Sequence, residues 1–279
     1  MLRSHRIFFT SLLMAATLSV PYVVTAESSR AVAGAVEPLR DAVYGHTLDE
    51  TQIRALHKVT LERISIEIEE TENGCYARAL ANYFLGRFYQ ALKTRGEMAA
   101  YAAELRAGRY LALKGYYHER DSAMAAYRAA KKDAECYVEL APGAEAHRLY
   151  GEILGQMLFL GDIGDIIGIG TKARKNVQIA LEIDPSLTKA RIQEASRLAY
   201  SPTRYGGDPD EARNMYRSIL RDGGVDREDL FNIYGGFAMA SFMEEEDEEA
   251  LSWFEEALDI YPGNIFSAGM ADFLRGELK

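Results

Sequence analysis

The fold of this chain is decided by a short stretch near its C-terminus, Ala250-Leu251-Ser252-Trp253-Phe254-Glu255-Glu256-Ala257-Leu258, which Pro262 follows. Its key apolar residues stand four, three and one positions apart, a spacing that places side chains along one stripe of an α-helix. Proline cannot continue a helix, so the segment has a defined end. The stretch therefore predicts an amphipathic helix, and the small residue Ala250 allows a neighbouring helix to approach its stripe closely.

The same template is found four times along the chain. Its landmarks are Pro142, Pro185, Gly224 and Pro262, and successive landmarks are 43, 39 and 38 residues apart. An alanine stands twelve positions before every landmark: Ala130, Ala173, Ala212 and Ala250. Apolar residues also recur eight, five and four positions before each landmark, although the type of apolar residue varies. Unrelated helices would not share both a register and an end, so the sequence predicts an internal repeat.

An apolar segment with helical spacing precedes each of these helices, which predicts consecutive helix pairs. The predicted first helices are 97–113, 144–159, 188–200 and 227–243, and three more helices are predicted upstream at 29–44, 48–70 and 75–93. Thr47 and Glu50 have the spacing of a capping box. Strand-like alternation with hairpin turns is missing from the sequence, so the predicted class is all-α.

Helix pairs that end in this pattern of alanines, an alanine–leucine pair and a proline resemble the tetratricopeptide repeat. The best matches are 250–262 and 173–185, and the resemblance covers residues 97–262. It departs from the family in length, because the family's repeat has 34 residues. The resemblance implies a right-handed superhelix in one domain, 27–279. Within it, 27–96 form N-terminal helices, 97–262 form four repeats and 263–279 form a C-terminal capping helix.

A joint lies between two predicted helices and has the sequence Thr203-Arg204-Tyr205-Gly206-Gly207-Asp208-Pro209-Asp210-Glu211-Ala212. Asp208 has the position of a helix N-cap, Pro209 that of the first helical residue, and Glu211 stands three after the cap. Gly206 and Gly207 allow the turn that leads into this start. A structural capping role for Asp208 is therefore favoured over a catalytic one.

The same joint is similar to one in the tetratricopeptide-repeat component associated with TRAP transporters. The matching residues are Ser201-Pro202, Tyr205-Gly206-Gly207-Asp208 and the helix that carries Ala212, Tyr216 and Ile219. The resemblance implies a periplasmic solute-binding protein as partner and assembly into a trimer, that is, a homo-oligomer. Members of that family are typically lipoproteins, whereas this chain has no cysteine at the processing site.

Residues 1–26 have the organisation of a secretory signal. Arg3 and Arg6 precede an apolar run at 7–18, and Val24-Thr25-Ala26 supplies small residues at a cleavage site. The alternative, an uncleaved anchor, is disfavoured because the run is shorter than the about 20 residues of a membrane span. The predicted location is periplasmic or secreted, with no transmembrane span in the mature chain.

Removing this segment takes two of the 32 basic residues and none of the 42 acidic ones, so the formal net charge moves from -10 to -12. Such an acidic chain is a poor partner for nucleic acid or for anionic lipid.

Cys75 and Cys136 are the only cysteines. In an oxidising compartment they can form a disulfide, but two buried free thiols are the favoured interpretation, because nothing in the sequence fixes their distance.

No catalytic, metal or cofactor motif is found in the sequence. The glycine-rich segment 161–172 ends in Thr171-Lys172, the reverse of the order in a phosphate-binding loop, and is interpreted as an apolar inserted loop at 163–169. The histidines lack the spacing of a metal site. The acidic run Glu244 to Glu249 lacks the glycine of a calcium loop and is interpreted as a helix–helix turn.

The favoured function is therefore a non-catalytic interaction scaffold that binds a protein partner or a small apolar ligand on its concave wall. Candidate binding residues are Arg148, Tyr150, Arg191, Arg204, Tyr205, Asn232 and Tyr234. Two other classes stay open, an enzyme with an unrecognised site in the inserted loops and a carrier of small molecules or lipids. The apolar segment 163–169 suggests the carrier.

Overall fold

The computed structural model describes residues 26–68, 71–91, 95–161, 163–201, 203 and 206–276. The predicted signal segment, apart from Ala26, lies outside these residues. Within them the chain forms thirteen α-helices and no β-strand, which confirms the all-α prediction. The helices are α1 (Ala26–Gly45), α2 (Glu50–Ile68), α3 (Glu72–Gln90), α4 (Met98–Arg106), α5 (Tyr110–Leu113), α6 (Arg120–Leu140), α7 (Ala144–Leu160), α8 (Ile163–Ile183), α9 (Thr188–Tyr200), α10 (Pro209–Asp222), α11 (Arg227–Met243), α12 (Asp247–Ile260) and α13 (Ile265–Leu274).

Consecutive helices pack as pairs, α7 with α8, α9 with α10, and α11 with α12. The four alanines of the repeat template, Ala130, Ala173, Ala212 and Ala250, are all buried. The bounds of α9 and α11 match the predicted 188–200 and 227–243, and α7 runs one residue beyond its predicted end. The repeated register therefore identifies the second helix of each pair correctly.

The predicted single helix at 97–113 is wrong. Residues 95–97 form a 3₁₀ turn, α4 ends at Arg106, and α5 has only four residues. Gly108 adopts a φ of 66°, and the Arg109 N–H donates to the Glu104 carbonyl at 2.9 Å. A left-handed glycine that closes such a bond ends a helix, and this explains the break.

The partner of α6 is therefore a different helix, α3, which packs against it along most of its length. The two helices run antiparallel, since Cys75 meets Cys136 near one end and Gly86 meets Tyr127 near the other.

The prediction that the two cysteines are free thiols is wrong, because Cys75 and Cys136 form a disulfide with their Cα atoms 6.0 Å apart. The sequence could not show this, because the bond depends on a pairing across the inserted segment between α3 and α6.

Two further local predictions are also wrong. The start of α2 is capped by Asp49 and Gln52, not by Thr47 and Glu50: the Gln52 N–H donates to Asp49 Oδ1 at 2.9 Å, and the Asp49 N–H donates to Gln52 Oε1 at 3.0 Å. The inserted loop predicted at 163–169 belongs to α8, which begins at Ile163. A glycine within a helix costs only about 1 kcal/mol relative to alanine, so the packing of the 21-residue α8 against α7 outweighs its glycines.

The joint before α10 has the predicted cap. Asp208 Oδ1 accepts from the Glu211 N–H at 3.0 Å, and Pro209 is the first residue of the helix. Gly206 has a φ of 84°, and Gly207 is buried. The acidic run also lies at a helix–helix turn, between α11 and α12, where Arg213 of α10 donates to the carboxylates of Glu244 and Glu246.

The two ends of the described chain meet in one core. α1 packs against α3, and α13 packs against both α12 and α4. The ring of Tyr44 at the end of α1 stacks on Tyr261 with centroids 5.4 Å apart, and Asn264 Nδ2 donates to the Tyr44 carbonyl at 3.0 Å. No helix in the described part of the chain is both long and apolar enough to cross a membrane.

Candidate functional site

The predicted binding residues that the structure describes lie on α7, α9 and α11. Tyr150 donates to Glu135 at 2.6 Å, Arg191 pairs with Asp222 at 2.7 Å, and Tyr234 stacks on Trp253. Arg204 and Tyr205 lie outside the described residues. Two of the predicted residues, Arg148 and Asn232, instead lie beside a polar interior that the sequence did not reveal.

This interior begins where α3 and α7 face each other. The Tyr76 hydroxyl donates to Glu145 Oε1 at 2.8 Å, and the Tyr83 hydroxyl donates to Glu152 Oε1 at 2.7 Å. Both tyrosines lie on one face of α3 and both glutamates on one face of α7, because residues seven apart on a helix stand above each other. The two helices are therefore joined by a row of hydrogen bonds between polar side chains.

Arg148 of α7 is buried between these two glutamates. Its side chain is 4% exposed, against 28% for Glu145 and 24% for Glu152. The guanidinium donates to Glu145 through Nε at 2.8 Å and Nη2 at 2.6 Å, and also donates to Glu152. These carboxylates raise the pKa of Arg148 although burial acts to lower it. Arg148 is committed to holding Glu145 and Glu152 in place, so its donors are not free for a ligand.

The row continues through α9 to α11 and returns to α1. Lys189 Nζ of α9 donates to Asp229 at 2.8 Å and to Glu228 at 3.3 Å, both on α11. Glu228 in turn accepts from the Tyr44 hydroxyl of α1 at 3.0 Å, and Asn232 lies beside that hydroxyl. Since α1 also packs against α3, the helices α1, α3, α7, α9 and α11 are linked in a ring.

We call the polar side chains that these helices direct towards one another the inner face: Tyr44, Tyr83, Arg87, Glu152, Glu228 and Asn232.

Arg87 is the unusual member of the inner face. Its guanidinium carbon lies 5.8 Å from the centre of the Tyr44 ring, yet no hydrogen bond or ion pair links its side chain to another described residue. Burial is the largest single effect on the pKa of Arg87 and acts to lower it, but nearby Tyr83, Tyr44, Tyr127 and Glu152 together raise it. Arg87 is therefore a stable, partly exposed cation whose N–H donors have no partner among the described residues.

The groups around Arg87 carry little negative charge at neutral pH. Burial raises the pKa of Tyr44 and Tyr83 well above their usual value, and it raises the pKa of Tyr200 to about 12. These phenols are therefore neutral. Glu152 is the one carboxylate among the groups that most raise the pKa of Arg87, and it already accepts from Arg148 and Tyr83.

His46 brings a second unpartnered group to the same region. Its backbone has a φ of 47°, and neither ring nitrogen has a hydrogen-bond partner in the described chain although both are buried. Burial lowers the pKa of His46, and the Arg87 cation lowers it further. The nearby Tyr44 carbonyl acts to raise this pKa, although it does not complete a hydrogen bond with the ring. The side chain is therefore neutral at pH 7.

The titratable side chains of this region are largely paired with one another. Among the described residues, no group of three or more histidine, cysteine, aspartate or glutamate side chains is placed to hold a metal ion. The carboxylates that could serve as general bases are paired, Glu145 and Glu152 with Arg148, and Glu228 with Lys189. The groups without a partner in the described chain are the partly exposed Arg87 guanidinium and the buried ring nitrogens of His46.

The sequence contains a weak signal for this site. Tyr76, Tyr83 and Arg87 share one stripe of α3, and an aromatic stripe that carries polar tips differs from an ordinary apolar core face. The repeat template does not single out this stripe, because the upstream helices match the template only weakly. No protein-family model matches the chain, and no curated protein sequence matches it either.

Proposed function

We propose that this chain is an exported, non-catalytic binding scaffold of the tetratricopeptide type. Its first helices would form the concave wall of a right-handed superhelix, which receives a protein partner. The resemblance at the 201–219 joint makes a periplasmic solute-binding protein the proposed partner, with an accessory role to a solute transporter and assembly as a homo-oligomer. An apolar solute is the alternative occupant of the same wall.

The observation that carries this proposal is the row of first helices. α9 contacts α7 on one side and α11 on the other, and each of the three is paired with a following second helix. Helical repeats that stack in this way expose one face of their first helices as a continuous surface. Arg191, Asn232 and Tyr234 are partly exposed residues of α9 and α11, which fits a role for these helices in binding.

Export is supported by the Cys75–Cys136 disulfide, because such bonds persist in oxidising compartments and are rare in the cytosol. The acidic character of the chain also supports a protein or small-molecule partner over nucleic acid. Together with the predicted signal segment, the disulfide favours a periplasmic or secreted scaffold.

The test is affinity capture from the exported fraction of the native cell. The wild-type protein should retain one partner in near-stoichiometric amount, and the double variant Arg191→Ala with Asn232→Ala should retain much less. Lys175→Ala is the control, because Lys175 is an exposed residue of the second helix α8. Equal capture by all three proteins, or no stoichiometric partner, would contradict the proposal.

A further inference from the structure

We infer that the Cys75–Cys136 bond is a site of thiol–disulfide exchange with a fixed direction. A thiolate of an external dithiol attacks the Cys136 sulfur, and Cys75 leaves as a thiolate that Arg78 stabilises. This inference concerns the covalent link between α3 and α6 and does not depend on the protein partner proposed above.

The first observation is the position of Arg78 against the Cys75 sulfur. Arg78 stands three residues after Cys75 on α3, and its Nη2 donates to Cys75 Sγ at 3.4 Å. Its Nε donates to Asp133 Oδ1 of α6 at 3.1 Å, which holds the guanidinium between the two helices. A neighbouring arginine favours the thiolate form of a cysteine, because its positive charge stabilises the sulfur anion. Cys75 is therefore well placed to carry the negative charge when the bond breaks.

The helix ends act in the same direction as Arg78. Cys75 lies in the first turn of α3, where its N–H donates to the Thr71 carbonyl at 3.1 Å, and Cys136 lies four residues before the end of α6. The N-terminal end of a helix carries partial positive charge and the C-terminal end partial negative charge. Glu72 stands one turn before Cys75 and opposes this effect, but the Arg78 cation donates directly to the sulfur. The ends of α3 and α6 therefore both favour a thiolate on Cys75 over one on Cys136.

The charges around Cys136 favour the same assignment. Asp133 stands one turn before Cys136 on the same side of α6, and its side chain is only 19% exposed. Lys132 and Glu139, the other charged residues one turn away, are exposed and of opposite sign, so solvent screens them and their effects offset each other. A nearby carboxylate opposes a second negative charge. A thiolate is therefore less stable on Cys136 than on Cys75.

Exposure selects the sulfur that is attacked. Cys75 is 3% exposed, whereas Cys136 is partly exposed. Exchange requires the incoming thiolate to reach one sulfur of the bond, and it is faster when the other sulfur leaves as the more stable thiolate. Access favours attack at Cys136, and the surrounding charges favour departure of Cys75. Both requirements are therefore met by the same direction of attack.

The reaction transfers two electrons from the dithiol to the protein disulfide. One sulfur of the dithiol, as a thiolate, forms a bond to Cys136 Sγ, the Cys75–Cys136 bond breaks, and its electron pair stays on Cys75. The second sulfur of the dithiol then attacks the first and releases Cys136. Both thiols of the reductant lose their protons to water, and Cys136 takes one proton up. The dithiol leaves as a cyclic disulfide, and α3 and α6 are no longer covalently joined.

The wild-type protein shows which sulfur is attacked. The oxidised full chain is treated with glutathione, quenched with acid and digested, and mass spectrometry locates the attached glutathione. A monothiol is used because it forms the mixed disulfide without a second thiol of its own to resolve it. At least ten times more glutathione should be found on Cys136 than on Cys75. Equal amounts, an excess on Cys75, or no adduct on either cysteine would overturn the proposal.

Variants of the ion pair test the role of Arg78. Arg78→Gln should slow reduction by dithiothreitol at least fivefold and lower the equilibrium constant for reduction about tenfold, which is about 30 mV for this two-electron couple. Arg78→Lys should restore part of both, because it keeps the positive charge. Asp133→Asn is the matched control, since it breaks the same ion pair but leaves the guanidinium beside the sulfur, and it should be reduced at least as fast as the wild type.

Two results would overturn the assignment of Arg78. One is a wild-type rate and equilibrium constant in Arg78→Gln, and the other is equal slowing in Arg78→Gln and Asp133→Asn, which would reflect only the lost ion pair. If Arg78→Gln fails to fold, the position of glutathione on the wild-type chain still decides the direction of attack. Loss of the protein partner in the capture experiment would leave these results unchanged, so the two proposals fail separately.

Discussion

At the scale of single residues, the chain uses polar side chains chiefly to fix backbone and neighbouring groups. Asp208 closes the N-terminus of α10, Arg148 holds two glutamates, and Arg213 secures the turn between α11 and α12. His46 departs from this rule, because both of its ring nitrogens are buried without a hydrogen-bond partner in the described part of the chain.

The cap of α10 leads to a stability prediction. Asp208→Ala removes the acceptor of the Glu211 N–H and should lower the free energy of unfolding by about 0.5–2 kcal/mol. Asp208→Asn is the control, because asparagine caps helices about as well as aspartate. Urea unfolding of the three proteins measures the difference. An alanine variant as stable as the wild type would show that the bond does not contribute.

His46 leads to a prediction about pH. Its pKa is lowered in the folded protein, so below about pH 6.5, the usual value for histidine, the unfolded chain binds the proton more strongly. Its neutral form therefore favours folding fully above that pH, and this contribution is lost as the pH falls towards the folded pKa. His46→Asn keeps a residue that tolerates the left-handed backbone but does not titrate.

Urea unfolding at pH 7.5 and at pH 5.5 gives the test for His46. Wild type should lose more stability than His46→Asn between the two pH values. His57, whose pKa burial also lowers, is present in both proteins and so cancels in the comparison. An equal loss in the two proteins would show that His46 is not held neutral by the fold.

At the scale of helices, close approach depends on small residues at particular contacts. A Cβ atom on Gly236 of α11 would lie 2.1 Å from the Tyr216 hydroxyl of α10, whereas one on the adjacent Gly235 would meet nothing within 4 Å. Gly86 of α3 meets the Tyr127 ring of α6 at a similarly short distance. These glycines, like the repeated alanines, set how closely paired helices pack.

Gly235 and Gly236 form a matched pair of test sites. Gly236→Ala should destabilise the protein by about 1–3 kcal/mol, because the methyl group must displace the buried Tyr216. Gly235→Ala should instead stabilise it by about 0.4–1 kcal/mol, because alanine restricts the unfolded chain and favours a helix. Thermal unfolding compares them. Shifts of the same sign would show that α10 and α11 are not packed at this contact.

Helix-scale prediction from the sequence succeeded where local signals decide the structure. α9, α11 and the Asp208 cap depend on the spacing of nearby residues, and the buried Ala212 and Ala250 follow from the repeat. The prediction failed where contacts between residues far apart in the sequence decide the structure. The pairing of α6 with α3 across an inserted segment, and with it the disulfide, has no local signature.

The candidate site was harder to predict for the same reason. Arg148 and Asn232 were identified from their helices, but Arg87 stands on α3, outside the segment that matches the repeat. Its environment comes from residues of other helices that are far apart in sequence, such as Tyr44, Tyr127 and Glu152. No spacing within a single helix reveals such a site.

At the scale of the whole molecule, residues far apart in the sequence are joined by the contacts of Tyr44 with Tyr261 and Asn264 and by one disulfide. Cys75 and Cys136 close a loop with a sequence separation of 61 residues, which restricts the unfolded chain. Replacing both cysteines with alanine should lower the free energy of unfolding by about 2–4 kcal/mol. The reduced wild-type protein is the control and should lose a similar amount. Unchanged stability in both would contradict a structural role for the bond.

The most direct test of the central claim, an array of paired helices with one row of first helices, is a crystal structure of the full chain. We expect α9 to pack against both α7 and α11, and α8, α10 and α12 each to pack against the helix that precedes it. A structure in which α9 contacts neither α7 nor α11, so that the first helices form no continuous row, would contradict the account.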